Sequence, residues 1–231
     1  KTNTSRKLLS EVASKFYNNK PQNLIAVTGT NGKSSVADFY YQILKLNNKK
    51  VASIGTLGVK THLNNLKINN TTLDPISLHK HLQKIKKHKI DNVILEASSH
   101  GLKQHRLDGL NFKIGIFTNL SRDHLDYHKS YKDYLNSKLL LFKNFLKKNS
   151  NIITDINIPQ YKIIKNIAKR KKLKIYTVES NKSSLELIKH SYKDDQQVFQ
   201  IKYNNKIYLL SVNLIGKVQI KNILMAMIAA E

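Results

Sequence analysis

The sequence predicts an α/β fold, a mostly parallel sheet flanked by helices with a β-hairpin near the C-terminal end. Three observations carry that expectation. Short apolar runs alternate with stretches of helical periodicity along most of the chain. One of these runs, Leu24-Ile25-Ala26-Val27, feeds the turn Thr28-Gly29-Thr30-Asn31-Gly32-Lys33-Ser34-Ser35, which leads into a helical pattern. Residues 198–212 then break the rhythm, with period-two alternation on either side of Asn204-Asn205, the signature of a hairpin.

Taken in order, residues 1–22 form a polar lead-in in which Leu8, Leu9, Val12 and Phe16 share one helical face over 7–16. After the glycine turn, 34–46 reads as a helix with Val36, Phe39, Tyr40, Ile43 and Leu44 inward. A strand at 51–54 is punctuated by Gly55 and Gly58. A polar loop covers 69–74, and Pro75 opens an amphipathic helix to 87, because the first helical turn tolerates a missing N–H. Strands at 92–95 and 113–117 end on Glu96 and on Thr118-Asn119. A helix over 131–147, a strand at 151–154, a helix over 159–172 and a strand at 174–178 continue the alternation, which argues for a sheet covered on both faces. The last helix starts at 221, and its 223–230 stretch is apolar nearly all round, so it requires cover. Polar residues gather at the carboxyl ends of the strands, where open α/β sheets bind ligands.

Composition bounds the function. The 231 residues suffice for one sizeable core. With no cysteine there are no disulfides or thiolate metal sites, and no apolar run is long enough to span a bilayer. A cytoplasmic location without membrane contact is the expectation. The formal charge of +25 suggests a nucleic-acid surface, but the lysines are spread along nearly every segment and asparagine is as pervasive. A base bias in the codons explains that spread more plainly, so nucleic acid is not an expected partner. A basic nucleic-acid-binding module with a vestigial phosphate loop is the reading of another class.

The glycine turn is a phosphate cradle. Gly29 and Gly32 let backbone N–H groups approach an oxyanion, the following helix adds its positive end, Lys33 supplies a point charge and Ser34 a hydroxyl for magnesium. The first glycine of the general motif falls at Val27, so only Gly32-Lys33-Ser34 keep the strict pattern. Glu96, closing a strand, is either a magnesium ligand or an acid capping the next turn. His124 and His128 have i, i+4 spacing that can bind zinc, but the glutamate of a metalloprotease helix is absent. One imidazole suits a metal near a nucleotide; the other reads as a surface histidine.

Together, Thr28 to Ser34, Glu96-Ala97-Ser98-Ser99-His100-Gly101-Leu102 and Asn119-Leu120-Ser121-Arg122-Asp123-His124-Leu125-Asp126-Tyr127-His128 resemble the Mur ligases. Asn70-Thr71-Thr72 with Asp74, and Gln104-His105-Arg106, resemble the MurE type, which joins an amino acid to UDP-N-acetylmuramoyl-dipeptide. Tyr134 and Lys138 on one helix and the 216–230 stretch extend the resemblance over nearly the whole chain. It implies an ATP-dependent amide ligase of peptidoglycan precursor synthesis that works through an acyl phosphate, with ATP and Mg2+. It also implies that Gly29, Thr30, Asn31, Gly32, Lys33, Ser34, Ser35 and Asn222 bind the nucleotide. Ser34, Glu96, His124 and a carbamylated Lys138 would hold magnesium, with Lys33, Glu96, His124 and Lys138 as the catalytic set. Thr71, Thr72, Ser98, Gln104 and Arg106 would hold the UDP-sugar peptide. Meso-diaminopimelate and L-lysine are the usual added amino acids, and a monomer is the family habit. By the same resemblance, 1–22 is a linker or the tail of an N-terminal domain, 23–231 the central ATP-binding domain, and the amino-acid-binding C-terminal domain lies outside the chain. The rivals within the superfamily are the MurC, MurD and MurF types and folylpolyglutamate synthase.

Overall fold

A computed structural model describes residues 2–179, 185–193 and 195–231. Its centre is β1 (Asn23–Thr28), between β5 (Asn92–Glu96) and β6 (Phe112–Phe117), both parallel to it. Outward from β5 lie β2 (Val51–Gly55), then the short antiparallel β3 (Gly58–Lys60) and β4 (Asn65–Leu66). Outward from β6 lie β7 (Leu146–Asp155), β8 (Lys174–Glu179), and β9 (Leu185–Lys193), which is antiparallel to β10 (Gln196–Tyr203); β11 (Lys206–Val212) forms the edge. The sheet has eleven strands, and those from β2 to β8 across the middle are parallel.

The apolar run of β1 divides by parity between two cores, because successive side chains leave a strand on opposite faces. Leu24 and Ala26 join Leu78, Leu82 and Ile85 of α3 (Pro75–Lys87), Leu139 and Phe142 of α5 (Tyr131–Asn144) and Ile164 of α6 (Tyr161–Lys171). Ile25 and Val27 join Val36 and Tyr40 of α2 (Lys33–Leu46) and Leu224 and Met225 of α7 (Lys217–Ala230). The apolar stretch of α7 thus gains the cover it requires. The first helix, α1 (Thr2–Phe16), docks on α3 and on the turn at 106–109, with Ser10 and Ser14 donating to the carbonyls of Asp108 and Gly109.

Several elements differ from expectation. The helix expected to reach 147 ends at Asn144, and Leu146 already pairs with Phe112 of β6. Phe145 and Leu146 are both buried while Lys147 and Lys148 are exposed, and the Phe112 N–H donates to the Phe145 carbonyl at 2.9 Å, which ties this segment to β6. The helix expected over 159–172 is shorter, closing where Lys172 turns left-handed (φ 55°). The last helix begins earlier, at Lys217, after Gly216 with φ 92°. Strands β3, β4 and β9 and the short α4 (Ser99–Lys103) were not expected from the sequence. The hairpin is present: Asn204 and Asn205 have φ 48° and 62°, the left-handed pair of a two-residue turn suited to strand twist. Among the described residues no helix is long and apolar enough to cross a membrane.

Candidate active site

The chain turns from one face of the sheet to the other around β1, so the loops after β1, β5 and β6 meet at one crevice. The phosphate loop lies there with its glycines under steric compulsion. Gly29 (φ 152°) would place a Cβ 1.9 Å from Thr118 Oγ1, and Gly32 (φ 86°) one 2.6 Å from Asn222 Oδ1. The loop is clamped from β6: Asn119 accepts from the Asn31 N–H at 3.0 Å and donates to the Asn31 carbonyl at 3.1 Å, while Thr118 donates to that carbonyl at 2.6 Å. Thr30 Oγ1 accepts from the Ser121 N–H and lies 3.2 Å from the Tyr134 hydroxyl. The loop is therefore preformed, and Asn31 shows its N–H engaged by a side chain.

Two lysines converge on the loop. Lys33 Nζ donates to the carbonyls of Gly29 (3.1 Å) and Thr30 (2.8 Å), and Lys138 Nζ donates to the same Gly29 carbonyl (2.7 Å). Lys138 is 1% exposed and lies over the Tyr134 ring. Burial, then the Lys33 charge beside it, pull its ammonium down to about 7 against the smaller opposing charge of Asp123. Burial also lowers Lys33, with Glu96 and Asp123 opposing.

Glu96 ends β5 directly beside β1, where Val27 pairs with it. Its carboxylate is 2% exposed, accepts from Ser34 Oγ at 3.0 Å and Thr56 N at 2.8 Å, and meets Thr56 Oγ1 at 3.3 Å. Burial pushes it above the usual carboxylate range, and those donors and Lys33 pull the other way. The capping alternative falls away, because Ser98, not Glu96, caps α4 by accepting from Gly101 N–H at 3.0 Å. Gly55 leaves the room that the carboxylate fills: a Cβ there would stand 2.2 Å from Glu96 Oε1.

Thr71 and Thr72 flank this acid. Thr71 Oγ1 is 3.1 Å from Thr56 Oγ1, and Thr72 Oγ1 donates to the Glu96 carbonyl at 2.9 Å and accepts from Ser98 N–H at 3.0 Å. Arg106 donates to the Thr72 carbonyl at 2.6 Å and twice to Gln104 Oε1, at 3.1 and 2.7 Å. Gln104 in turn donates to the Tyr127 hydroxyl at 3.2 Å. Asn222, buried in the first turns of α7, abuts Gly32 and donates to Gln219. Ser35 follows Ser34 in the first turn of α2.

The histidine pair is corrected. His124 and His128 lie on a turn rather than a helix, with His124 left-handed at φ 53°. His128 is 1% exposed and not a surface residue: Nε2 lies 3.0 Å from Ser99 Oγ and Nδ1 3.5 Å from Asp133 Oδ2. His124 is half exposed, 3.5 Å from Asp123 Oδ2, with its ring edge-on to His100. No cluster of three or more His, Cys, Asp or Glu suited to a metal occurs among the described residues. Thr56 went unremarked in the sequence, and Tyr127 stood in a motif without a role of its own; Thr56 follows Gly55 at the end of a strand, the one signal that could have found it.

The description Mur ligase middle domain matches residues 27–230. The chain is 39% identical over 225 residues to the UDP-N-acetylmuramoyl-L-alanyl-D-glutamate--2,6-diaminopimelate ligase of Rickettsia montanensis, covering 96% of this chain and 47% of that protein. It is 34% identical to the ligase of the same name from Zymomonas mobilis, covering 96% and 46%. A solved structure of a ligase of that name superposes with a TM-score of 0.86 at 29% identity, over 97% of this chain and 47% of the other. The MurF ligase of Thermotoga maritima in complex with ADP shares the fold, with a TM-score of 0.74 at 15% identity over 97% and 48%. The chain spans about half the length of the curated relatives it matches.

Proposed function

The chain belongs to the Mur ligase family, and from that premise we propose that it forms the ATP-binding part of an enzyme adding 2,6-diaminopimelate to UDP-N-acetylmuramoyl-L-Ala-D-Glu. The names of the relatives favour diaminopimelate over L-lysine as the added amino acid. The observation that carries the reading is the meeting of Lys33, Lys138 and Glu96 around one preformed loop. Loops that merely connect a strand to a helix have no reason to bury two lysines and a carboxylate.

In this reading a carboxylate oxygen of the acceptor attacks the γ-phosphorus of ATP, the bond to the β-phosphate oxygen breaks, and ADP leaves behind an acyl phosphate. The amine nitrogen then attacks the acyl carbon, phosphate departs and the nitrogen loses a proton, leaving an amide. The loop N–H groups and Lys33 bear the phosphate charge, with Lys33 exchanging its loop carbonyls for phosphate oxygens. Thr72, Ser98, Gln104 and Arg106 orient the acceptor. Ser34 and Glu96 offer hard oxygens 3.0 Å apart, a donor set that suits magnesium better than a softer metal. Lys138 as a carbamate and His124 would serve a second ion. When bound, magnesium neutralises and orients phosphate oxygens. An amine lowered to about 7 is largely neutral at physiological pH, the form that adds to carbon dioxide, so Lys138 is suited to carbamylation.

The test is Mg2+-dependent ATP binding by calorimetry, beside Lys33→Ala, with and without UDP-N-acetylmuramoyl-L-Ala-D-Glu. Binding should fall at least 100-fold in the variant with its fold intact, and the UDP-sugar should alter it in the unsubstituted chain. Equal binding by both chains would refute the reading.

A further inference from the structure

We infer that Arg6, on α1, is a binding residue that joins Arg106 in holding an oxyanion of the acceptor across the cleft between α1 and the turn after α4. The inference rests on the acceptor-binding reading above and extends it to a helix that lies outside the matched 27–230 segment.

The height and rotation of α1 over that turn are fixed by side-chain to backbone bonds. Ser10, fully buried, donates to the Asp108 carbonyl at 2.9 Å, and Ser14 to the Gly109 carbonyl at 3.0 Å. Arg6 is four residues before Ser10, so it occupies the same helix face one turn nearer the N-terminus. There the helix and the turn part, leaving a cavity of about 220 Å³ lined by Arg6, Leu9, Pro75, Gln104 and Arg106.

The electrostatics of this cavity are one-sided. Arg106 is held by neutral acceptors alone, Gln104 Oε1 and the Thr72 carbonyl. Among the described residues no carboxylate pairs with either arginine. Two guanidinium groups thus border one void with no acid to answer them, and Gln104 fixes the plane of one fork in advance. Leu9 and Pro75 add apolar wall to the same open groove, in which Arg6 and Leu9 are exposed and within reach of an incoming anion. Phosphate and carboxylate oxygens share the geometry that an arginine fork binds. The acceptor carries both, in its diphosphate and in the glutamyl carboxylate that does not react.

The experiment is calorimetric binding of UDP-N-acetylmuramoyl-L-Ala-D-Glu and, separately, of ATP to the chain and to its Arg6→Ala and Arg6→Lys variants. Arg6→Ala should weaken acceptor binding about tenfold, Arg6→Lys should recover part of that, and ATP affinity should stay within twofold in both. A merely structural role would move both ligands together and overturn the inference, as would Arg6→Ala binding the acceptor like the unsubstituted chain. An unsubstituted chain that binds ATP but not the acceptor would overturn the acceptor reading and this inference with it. Repeating the titration with UDP-N-acetylglucosamine, which carries the diphosphate and no carboxylate, separates the anions: a tenfold loss that persists assigns the diphosphate end, and one that vanishes assigns the glutamyl carboxylate.

Discussion

Around the phosphate loop, a methyl group added to Gly29, Gly32 or Gly55 would fall between 1.9 and 2.6 Å from the side chains of Thr118, Asn222 or Glu96. In the antiparallel strands β9 to β11 of the same sheet, Tyr192, Ile207, Tyr208 and Leu209 are exposed, the β10–β11 register follows from one two-residue turn, and the β9–β10 register shifts at Gln200/Ile201. The first region is specified atom by atom because buried polar groups must meet their partners or incur a large penalty. The second is specified by pattern, so many sequences satisfy it. The proposed function falls where the specification is tight.

The sharpest way to break this contrast is Gly29→Ala. Its Cβ would meet Thr118 at a backbone angle that L residues rarely adopt, so ATP affinity should fall by two orders of magnitude or more in a nucleotide titration, with the helical circular dichroism kept. A variant within threefold of the parent would show that the loop is not sterically fixed. A smaller effect is expected of Lys138→Met. Between about 7 and the ordinary 10.5, Lys138 carries fewer protons folded than unfolded, so its contribution to stability rises with pH across that window. Removing the lysine should therefore stabilise most below pH 7, and the advantage should shrink by at most about 1.4 kcal/mol per pH unit as pH rises to 10. Denaturant melts at pH 6, 8 and 10 in carbonate-free buffer read this directly; a pH-independent difference would contradict it. The smallest effect belongs to the hairpin. Asn205→Val, at φ 62°, should cost about 1 kcal/mol by thermal melting while leaving ATP affinity unchanged.

The same contrast explains what the sequence disclosed. The parallel order, the phosphate loop and the Asn204-Asn205 hairpin were legible because each is written in local pattern: buried apolar runs, a glycine turn, alternation about a turn pair. The acid at the end of β5 was legible because strand ends are where ligands meet an open sheet. The burial of His128 was not legible, since Ser99, which meets its Nε2, is brought near by tertiary packing. The environment of Lys138 was equally hidden: in a chain so rich in lysine, nothing local marks the one whose ammonium is enclosed. Residues 145–150 were misread because two consecutive buried residues fit a helix end and a strand start equally well.

The close approach of Asn222 to Gly32 has a consequence for the order in which this protein is made. A ribosome delivers the loop well before the helix bearing Asn222, so the floor of the proposed phosphate site exists before its wall. The proposed nucleotide pocket therefore waits for α7, and until that helix is made ATP has no finished site on which to template the central strands. The central strands must assemble on their apolar runs alone, and the capacity to hold a nucleotide comes as a sign that the chain has folded through to α7.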